Sequence, residues 1–315
     1  MKLAVIDLGT NSVRFDIYDL SDELEPHTIY QDKQMIRLGD GVFLEQKLNG
    51  KALSRAYKAF DEIKGKIKEF EVDKVFAFAT CALREASDRD EFIKEIKKKT
   101  NIDLRILSGD EEANLIAKGI LNNEELPEGL YALVDIGGGS TEVSICHKRS
   151  LIKSFSFRLG ANRLQQVFLK TQPPKPTEFI PDPIKALRDH IQHEINPVLL
   201  PKNENSPIKM VLGSSGTIRA YKKIIKQTGD SIEPYKKKSL SRLIKIMKDM
   251  DPQEILSIPG MDPKRADIIL AGGILLEEIL QTLQAKLVNT TDYNLRDGIL
   301  EMELEIMAKS NFHFI

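Results

Sequence analysis

The chain has 315 residues, 46 Lys and Arg against 47 Asp and Glu, and a net charge of -1 at pH 7. That length buries a full core and is long for one domain, so two are expected, and the neutral balance gives no global field that would gather nucleic acid. Cys81 and Cys146 stand too far apart for a metal motif, the longest apolar run (268–276) is too short to span a bilayer, and Asp7 interrupts the first apolar run, so no signal peptide is expected.

Residues 5–17 open the chain with an apolar run ending in Asp7, then Gly9, Thr10, Asn11 and Ser12, then alternation at Val13, Phe15 and Ile17. This pattern predicts a strand, a tight turn and a returning strand. A third extended segment follows over 28–38, with the turn Gly39-Asp40-Gly41 behind it. Leu53, Ala56, Tyr57, Phe60, Ile63 and Ile67 recur at helical spacing, and 74–79 reads as a strand buried on both faces. Arg84 comes just after that strand, where a guanidinium could grip a phosphoryl group or pair with Glu85 or Asp88. A helix is predicted over 88–99, a strand over 103–107 and a helix over 110–121. Between the last two stands Ser108-Gly109-Asp110-Glu111-Glu112-Ala113. Ser108 and Glu111 have capping-box spacing, which leaves Glu112, about 100° further round the helix, to point elsewhere. Beside a phosphate chain, Glu112 could orient and deprotonate water; without that context it is an ordinary helix-start acid.

A polar stretch over 122–129 marks the expected boundary, giving lobes 1–125 and 126–315. The second lobe repeats the first: a shift of 128 positions lays Asp7-Leu8-Gly9 on Asp135-Ile136-Gly137, Ser12 on Ser140 and Ile17 on Ile145. Gly137, Gly138 and Gly139 exceed what a two-residue turn needs, and glycine lets backbone N–H groups converge on phosphate oxygens. Asp135 and Glu142 lie on opposite strands of this hairpin, and two hard oxygen ligands beside phosphate suit Mg²⁺. Beyond it come a strand over 150–157, a helix over 160–169, an irregular proline-rich stretch over 171–183 and a helix over 184–195. A strand over 208–212 and a helix over 217–226 follow, joined by Gly213, Ser214, Ser215 and Gly216, a third small-residue loop at a helix start. A long apolar helix over 265–283 contains Gly272-Gly273, which costs helix stability and points to close packing or to backbone approach to a ligand. A strand over 286–289 and a helix over 295–308 end the pattern, which is α/β with mixed sheets. The local lysine clusters and the pair His190 and His193 read as solvated or structural.

In order, the motifs Asp7-Leu8-Gly9-Thr10-Asn11-Ser12, Ala79-Thr80-Cys81-Ala82-Leu83-Arg84-Glu85-Ala86, Ser108 to Ala113, Asp135-Ile136-Gly137-Gly138-Gly139-Ser140-Thr141-Glu142, Leu159-Gly160-Ala161-Asn162-Arg163-Leu164 and Ser215-Gly216-Thr217-Ile218-Arg219 resemble those of the exopolyphosphatase and guanosine pentaphosphate phosphohydrolase (Ppx/GppA) family. Arg265-Ala266-Asp267, Ala271-Gly272-Gly273 and Leu295-Arg296-Asp297-Gly298-Ile299-Leu300 extend the likeness almost to the end. Cys81 replaces a usual Ser, Ala117 a common Tyr, and Asn294 and Asp297 a usual Gly and Glu. The resemblance implies two ribonuclease-H-like lobes of the actin/hexokinase/Hsp70 superfamily around a cleft, the last helix folding back on the first lobe. The form expected is the short one, without the C-terminal HD-type domain of longer members.

The resemblance also implies Mg²⁺-dependent hydrolysis of a terminal phosphoanhydride. Glu112 matches the catalytic base, and Asp135 and Glu142 the metal acids. Asp7, Gly9, Thr10, Asn11 and Ser12 with Gly137, Gly138, Gly139, Ser140 and Thr141 match the phosphate loops. Arg84 would contact the substrate chain; Gly213, Ser214, Ser215, Gly216 and Arg265 are lesser candidates. The expected substrate is inorganic polyphosphate, hydrolysed processively, with guanosine pentaphosphate (pppGpp) as the alternative at the same site. A non-catalytic phosphate-compound sensor and a kinase of the same fold are further options. A cytoplasmic protein is expected, with no nucleic-acid or membrane partner; a homodimer is compatible with the reading.

Overall fold

The structure, a computed structural model, describes residues 1–21, 26–126, 128–199, 208–229 and 233–311. Two compact units divide the chain: Met1–Leu115 with Leu295–Ile315, and Ile116–Asn294. In the first unit the chain runs β1 (Lys2–Leu8), β2 (Ser12–Asp19), β3 (His27–Met35), α1 (Val42–Glu45), α2 (Gly50–Glu69), β4 (Lys74–Ala79), α3 (Cys81–Glu85), α4 (Arg89–Thr100), β5 (Leu104–Ile106) and the start of α5 (Gly109–Asn123). The second unit holds the end of α5, then β6 (Leu130–Ile136), β7 (Thr141–His147), β8 (Ser150–Phe157), α6 (Ala161–Phe168), α7 (Pro183–Leu199), β9 (Val211–Gly213), α8 (Gly216–Gln227), β10 (Tyr235–Lys236), α9 (Lys237–Met247), α10 (Pro252–Ser257), α11 (Ile269–Thr282) and β11 (Leu287–Thr290). The last helix, α12 (Leu295–Asn311), groups with the first unit.

Each unit is built on one mixed sheet. The first has the order β3-β2-β1-β4-β5, with β1, β2 and β3 antiparallel and β4 and β5 running parallel to β1. The second, β8-β7-β6-β9-β11-β10, repeats that plan and adds one antiparallel edge strand. Strands β1 and β6 sit mid-sheet, and their interiors are fully covered: Leu3, Ala4, Val5 and Ile6 in one, Tyr131, Ala132, Leu133 and Val134 in the other. That coverage is why both sequences read as unbroken apolar runs. Helix α2 lays Ala52, Ala56, Ala59, Phe60 and Ile63 into the first core, starting from an Asn49 side chain that accepts from Lys51 N–H at 2.8 Å. The repeat in sequence is thus a repeat of an α/β, ribonuclease-H-like lobe.

The unit division falls at 115/116, inside α5, and not at the 125/126 boundary suggested by the polar stretch. A helix crosses from one unit to the other without changing composition, whereas the polar residues mark only its C-terminal end; Pro127, part of that reading, lies outside the described residues. Helix α11 starts at Ile269, not 265, because residues 265–268 form turns ahead of it. Helices α9 and α10 were not anticipated. Their signals are present, in the spacing of Leu240, Leu243, Ile244 and Met247 and in the capping box between Asp251 and Glu254 ahead of Pro252, but the lysine cluster at 236–238 masks the first. Gly272 and Gly273 serve close packing: an added Cβ would lie 2.6 Å from Thr217 Cγ2 at the former and 1.9 Å from the Tyr221 hydroxyl at the latter. That hydroxyl donates to Ile269 O at 3.0 Å, tying α8 to α11 through the gap the glycine leaves.

Candidate active site

The candidate residues of each unit are built from its central hairpin outward. Between β1 and β2 the chain turns in four residues, closed by Gly9 N–H donating to Ser12 O at 3.0 Å. The segment after β3 seizes the turn's carbonyls. Gly39 N–H donates to Thr10 O at 2.9 Å, and Ile36 and Arg37 N–H donate to Asn11 O at 3.0 and 2.9 Å. In a planar trans peptide the N–H lies opposite the C=O, so clamping these two carbonyls turns the N–H groups of Asn11 and Ser12 the other way. Thr10 itself is buried, its methyl filling the space where a side chain on Gly39 would stand.

The hairpin between β6 and β7 is held in the same manner and more completely. Gly137 N–H donates to Ser140 O at 2.9 Å. The start of α6 takes up three successive carbonyls: Ala161 N–H to Gly137 O at 3.0 Å, Asn162 and Arg163 N–H to Gly138 O at 2.9 Å each, and Arg163 Nε to Gly139 O at 2.8 Å. The N–H groups of Gly138, Gly139 and Ser140 therefore face away from α6, a nest suited to an anion. A Cβ on Gly160 would lie 2.4 Å from the Gly138 carbonyl and Gly139 N, so only glycine permits this contact. Thr10 and Gly138, and Asn11 and Gly139, are thus matched clamped residues of the two turns, with Gly39 and Gly160 the glycines that lie against them.

The second hairpin differs from the first in charge. Asp7 stands opposite Arg14, whereas Asp135 stands opposite Glu142. Like charges directly across a sheet repel. Neighbouring donors ease this in part: Ser214 Oγ donates to Asp135 Oδ2 at 2.5 Å and Ser156 Oγ to Glu142 Oε1 at 2.8 Å. Glu142 is buried, and beside it Thr141 Oγ1 is buried with no hydrogen-bond partner. A pair of facing carboxylates fits Mg²⁺, which takes one or two carboxylates and keeps much of its water. Among the described residues no group of three or more His, Cys, Asp or Glu forms a metal cage, so water or substrate oxygens would supply the remaining ligands.

In the first unit, Ser108 and Glu111 form the expected capping box, Glu111 N–H donating to Ser108 Oγ at 3.2 Å and Ser108 N–H to Glu111 Oε2 at 2.8 Å. Arg105 also pairs with Glu111. Glu112 turns the other way and is buried, 7% exposed. Its Oε2 lies 3.1 Å from Arg84 Nη1, which also donates to Leu107 O at 2.6 Å. Glu112 is not among the partners that local spacing offers for Arg84. A contact across 28 positions has no local signature; only the parallel run of β4 and β5 brings α3 beside the start of α5.

The loop after β9 sits beside the second hairpin. Ser214 N–H donates to Val134 O at 3.2 Å, and Ser215 caps α8 by accepting from Ile218 N–H at 3.2 Å. The Arg265 guanidinium lies over Gly216, within 1.9 Å of where a Cβ would be. Of the five lesser candidates, Ser214 touches a carboxylate of the facing acid pair.

The sequence model described as the Ppx/GppA phosphatase family matches residues 17–306. The chain belongs to that family. A crystal structure of an exopolyphosphatase from Cytophaga hutchinsonii superposes with a TM-score of 0.84 at 27% identity, covering 97% of this chain and 98% of that one. Exopolyphosphatase 1 of Mycobacterium leprae is 24% identical over 98% of this chain and 91% of its own length. The bifunctional 3-dehydroquinate synthase/phosphatase of Fusobacterium nucleatum is 29% identical over 95% of the chain, which spans only 46% of that relative, about half its length. That exopolyphosphatase thus shares the α/β architecture of two lobes described above.

Proposed function

We propose that this family member is an exopolyphosphatase, releasing orthophosphate one residue at a time from the end of inorganic polyphosphate. The observation that carries the proposal is the duplicated carbonyl clamp, which in each hairpin turns backbone N–H groups away from the clamping segment, where phosphate oxygens can be held. Glu112 acts as general base. It accepts a proton from water as the water oxygen bonds to the terminal phosphorus; the bond from that phosphorus to the bridging oxygen breaks, and the chain shortened by one phosphate leaves with the electron pair. Arg84 holds the Glu112 carboxylate in place, through the contact at 3.1 Å, and could also touch the substrate chain. Asp135 and Glu142 would hold Mg²⁺, which supplies charge neutralisation for the phosphoryl oxygens. Phosphoryl transfer leaves the protein mostly positioning and electrostatics, which is the work the glycine-clamped loops are suited to.

Glu112→Gln keeps the size of the side chain and removes its basicity. Phosphate release from long-chain polyphosphate with Mg²⁺ should fall by roughly 10²-fold or more while polyphosphate binding stays within a few-fold. Near-normal turnover by this variant would refute the assignment. The family description spans guanosine pentaphosphate phosphohydrolases as well, whose reacting group is also a terminal anhydride; rates on polyphosphate, pppGpp and ATP measured side by side decide the substrate. A cytosolic setting is proposed with this function; Cys81 and Cys146 are both buried thiols, and burial pushes the Cys146 thiol up to about 12. The homodimer is a separate expectation that sedimentation checks.

A further inference from the structure

Helix α12 returns from the end of the chain to touch the helix that carries Glu112. A Cβ added to Gly298 would stand 1.8 Å from the Leu115 carbonyl oxygen and 2.6 Å from its carbonyl carbon, so the backbones of α12 and α5 meet there with no side chain between them. Leu115 lies three positions after Glu112, less than one turn along the same helix. A shift of α12 at this point is therefore passed to Glu112 through a single turn of hydrogen-bonded backbone.

One anchor of α12 is a buried ion pair. Arg296 Nη1 pairs with Asp16 Oδ2 on β2, and Asp16 is 1% exposed. Tyr18 OH donates to the same oxygen at 3.1 Å and Gln31 Nε2 approaches it at 3.4 Å. Ile299 and Leu300 bury the next positions of the helix, which packs along β1. The sheet that holds Asp16 also carries β4, from whose end α3 presents Arg84 to Glu112. Arg84 contacts the carboxylate and α12 the helix that carries it, and both are referred to the same sheet.

We propose that Arg296 and Gly298 are positioning residues for Glu112: the Asp16–Arg296 pair holds α12 on the sheet so that Gly298 fixes α5 at the height that puts the Glu112 carboxylate on Arg84. The inference rests on the reading of Glu112 as the base, and the two fail separately. In Arg296→Ala and Gly298→Ala, kcat for polyphosphate per folded molecule should drop at least roughly tenfold with KM within about twofold, because the phosphate loops are untouched while the base is displaced. The double variant Asp16→Asn with Arg296→Gln keeps a neutral hydrogen-bonded pair and should return kcat to within about threefold of wild type.

A purely structural role predicts the opposite: loss of folded protein with normal kcat in the folded fraction, or equal damage from the double variant and Arg296→Ala. Either result overturns the proposal. If Gly298→Ala does not fold, the comparison of Arg296→Ala with the double variant still decides. Glu112→Gln assayed alongside separates the causes. Loss of turnover there with normal α12 variants defeats the positioning role alone, and retained turnover there defeats the base assignment on which that role depends.

Discussion

Arg84 and Glu112 show how one contact alters the meaning of two residues. Alone at the start of a helix, Glu112 would be one acid among three satisfying the helix dipole. Buried against a guanidinium, it is a carboxylate held at a fixed point, which a base must be before substrate arrives. Lysine is a poor replacement for Arg84, because the nitrogen that serves both Leu107 O and Glu112 Oε2 stands one atom further from the backbone than a lysine ammonium, at the end of a rigid planar fork that a flexible stem does not reproduce. Arg84→Lys should therefore lower kcat by roughly tenfold or more at saturating polyphosphate, with the circular dichroism spectrum unchanged. Full activity in that variant would mean that the carboxylate is oriented by something else.

At the scale of elements, the glycines divide into those that shape a loop and those that let helices close. Gly160 belongs to the first kind, since its missing side chain is what allows α6 to hold the Gly137–Gly139 carbonyls. Gly273 belongs to the second, where the Tyr221 hydroxyl occupies the space. Alanine at each site should give different signatures. Gly160→Ala should reduce kcat/KM by roughly 10²-fold, since it displaces N–H donors from the proposed phosphate nest. Gly273→Ala should cost about 2 kcal/mol of stability despite its better helix propensity, while KM stays put. Urea unfolding and steady-state rates on the two variants separate them; the same pattern in both would undo the distinction. The facing pair Asp135 and Glu142 is another element-level feature, created by register: each acid alone is unremarked, and only the antiparallel pairing sets them opposite one another.

At the scale of the whole chain, the N-terminal sheet is completed by residues almost three hundred positions away, through Asp16 and Arg296. Burial raises the Asp16 carboxyl above its usual 3.8, with Arg296 the main opposing influence. Below that value both folded and unfolded chains carry the proton. As pH rises past it the unfolded chain ionises first, so the contribution of Asp16 to stability is greatest in acid and falls as pH climbs through its folded value. The difference in unfolding free energy between wild type and Asp16→Asn should thus decline as pH rises above about 4. Chemical denaturation across pH 3.5 to 7 gives the slope, roughly 1.4 kcal/mol per pH unit at its steepest; a difference that stayed flat or rose would show that Arg296 outweighs the cost of burying the charge.

Much of this architecture is written locally. Alternation, apolar runs, glycine turns and a repeat 128 positions apart are short-range features, and they suffice for two α/β lobes, two phosphate-type hairpins and the set of candidate residues. Hydrogen bonds within a turn or a capping box span a few residues, so composition at fixed spacing reveals them. What the sequence left open depends on which distant segments meet. The division inside α5, the Arg84–Glu112 pair, the clamps at Gly39 and Gly160 and the seat of α12 at Gly298 join segments that only strand order brings together, and no residue carries a local mark of a partner chosen by packing.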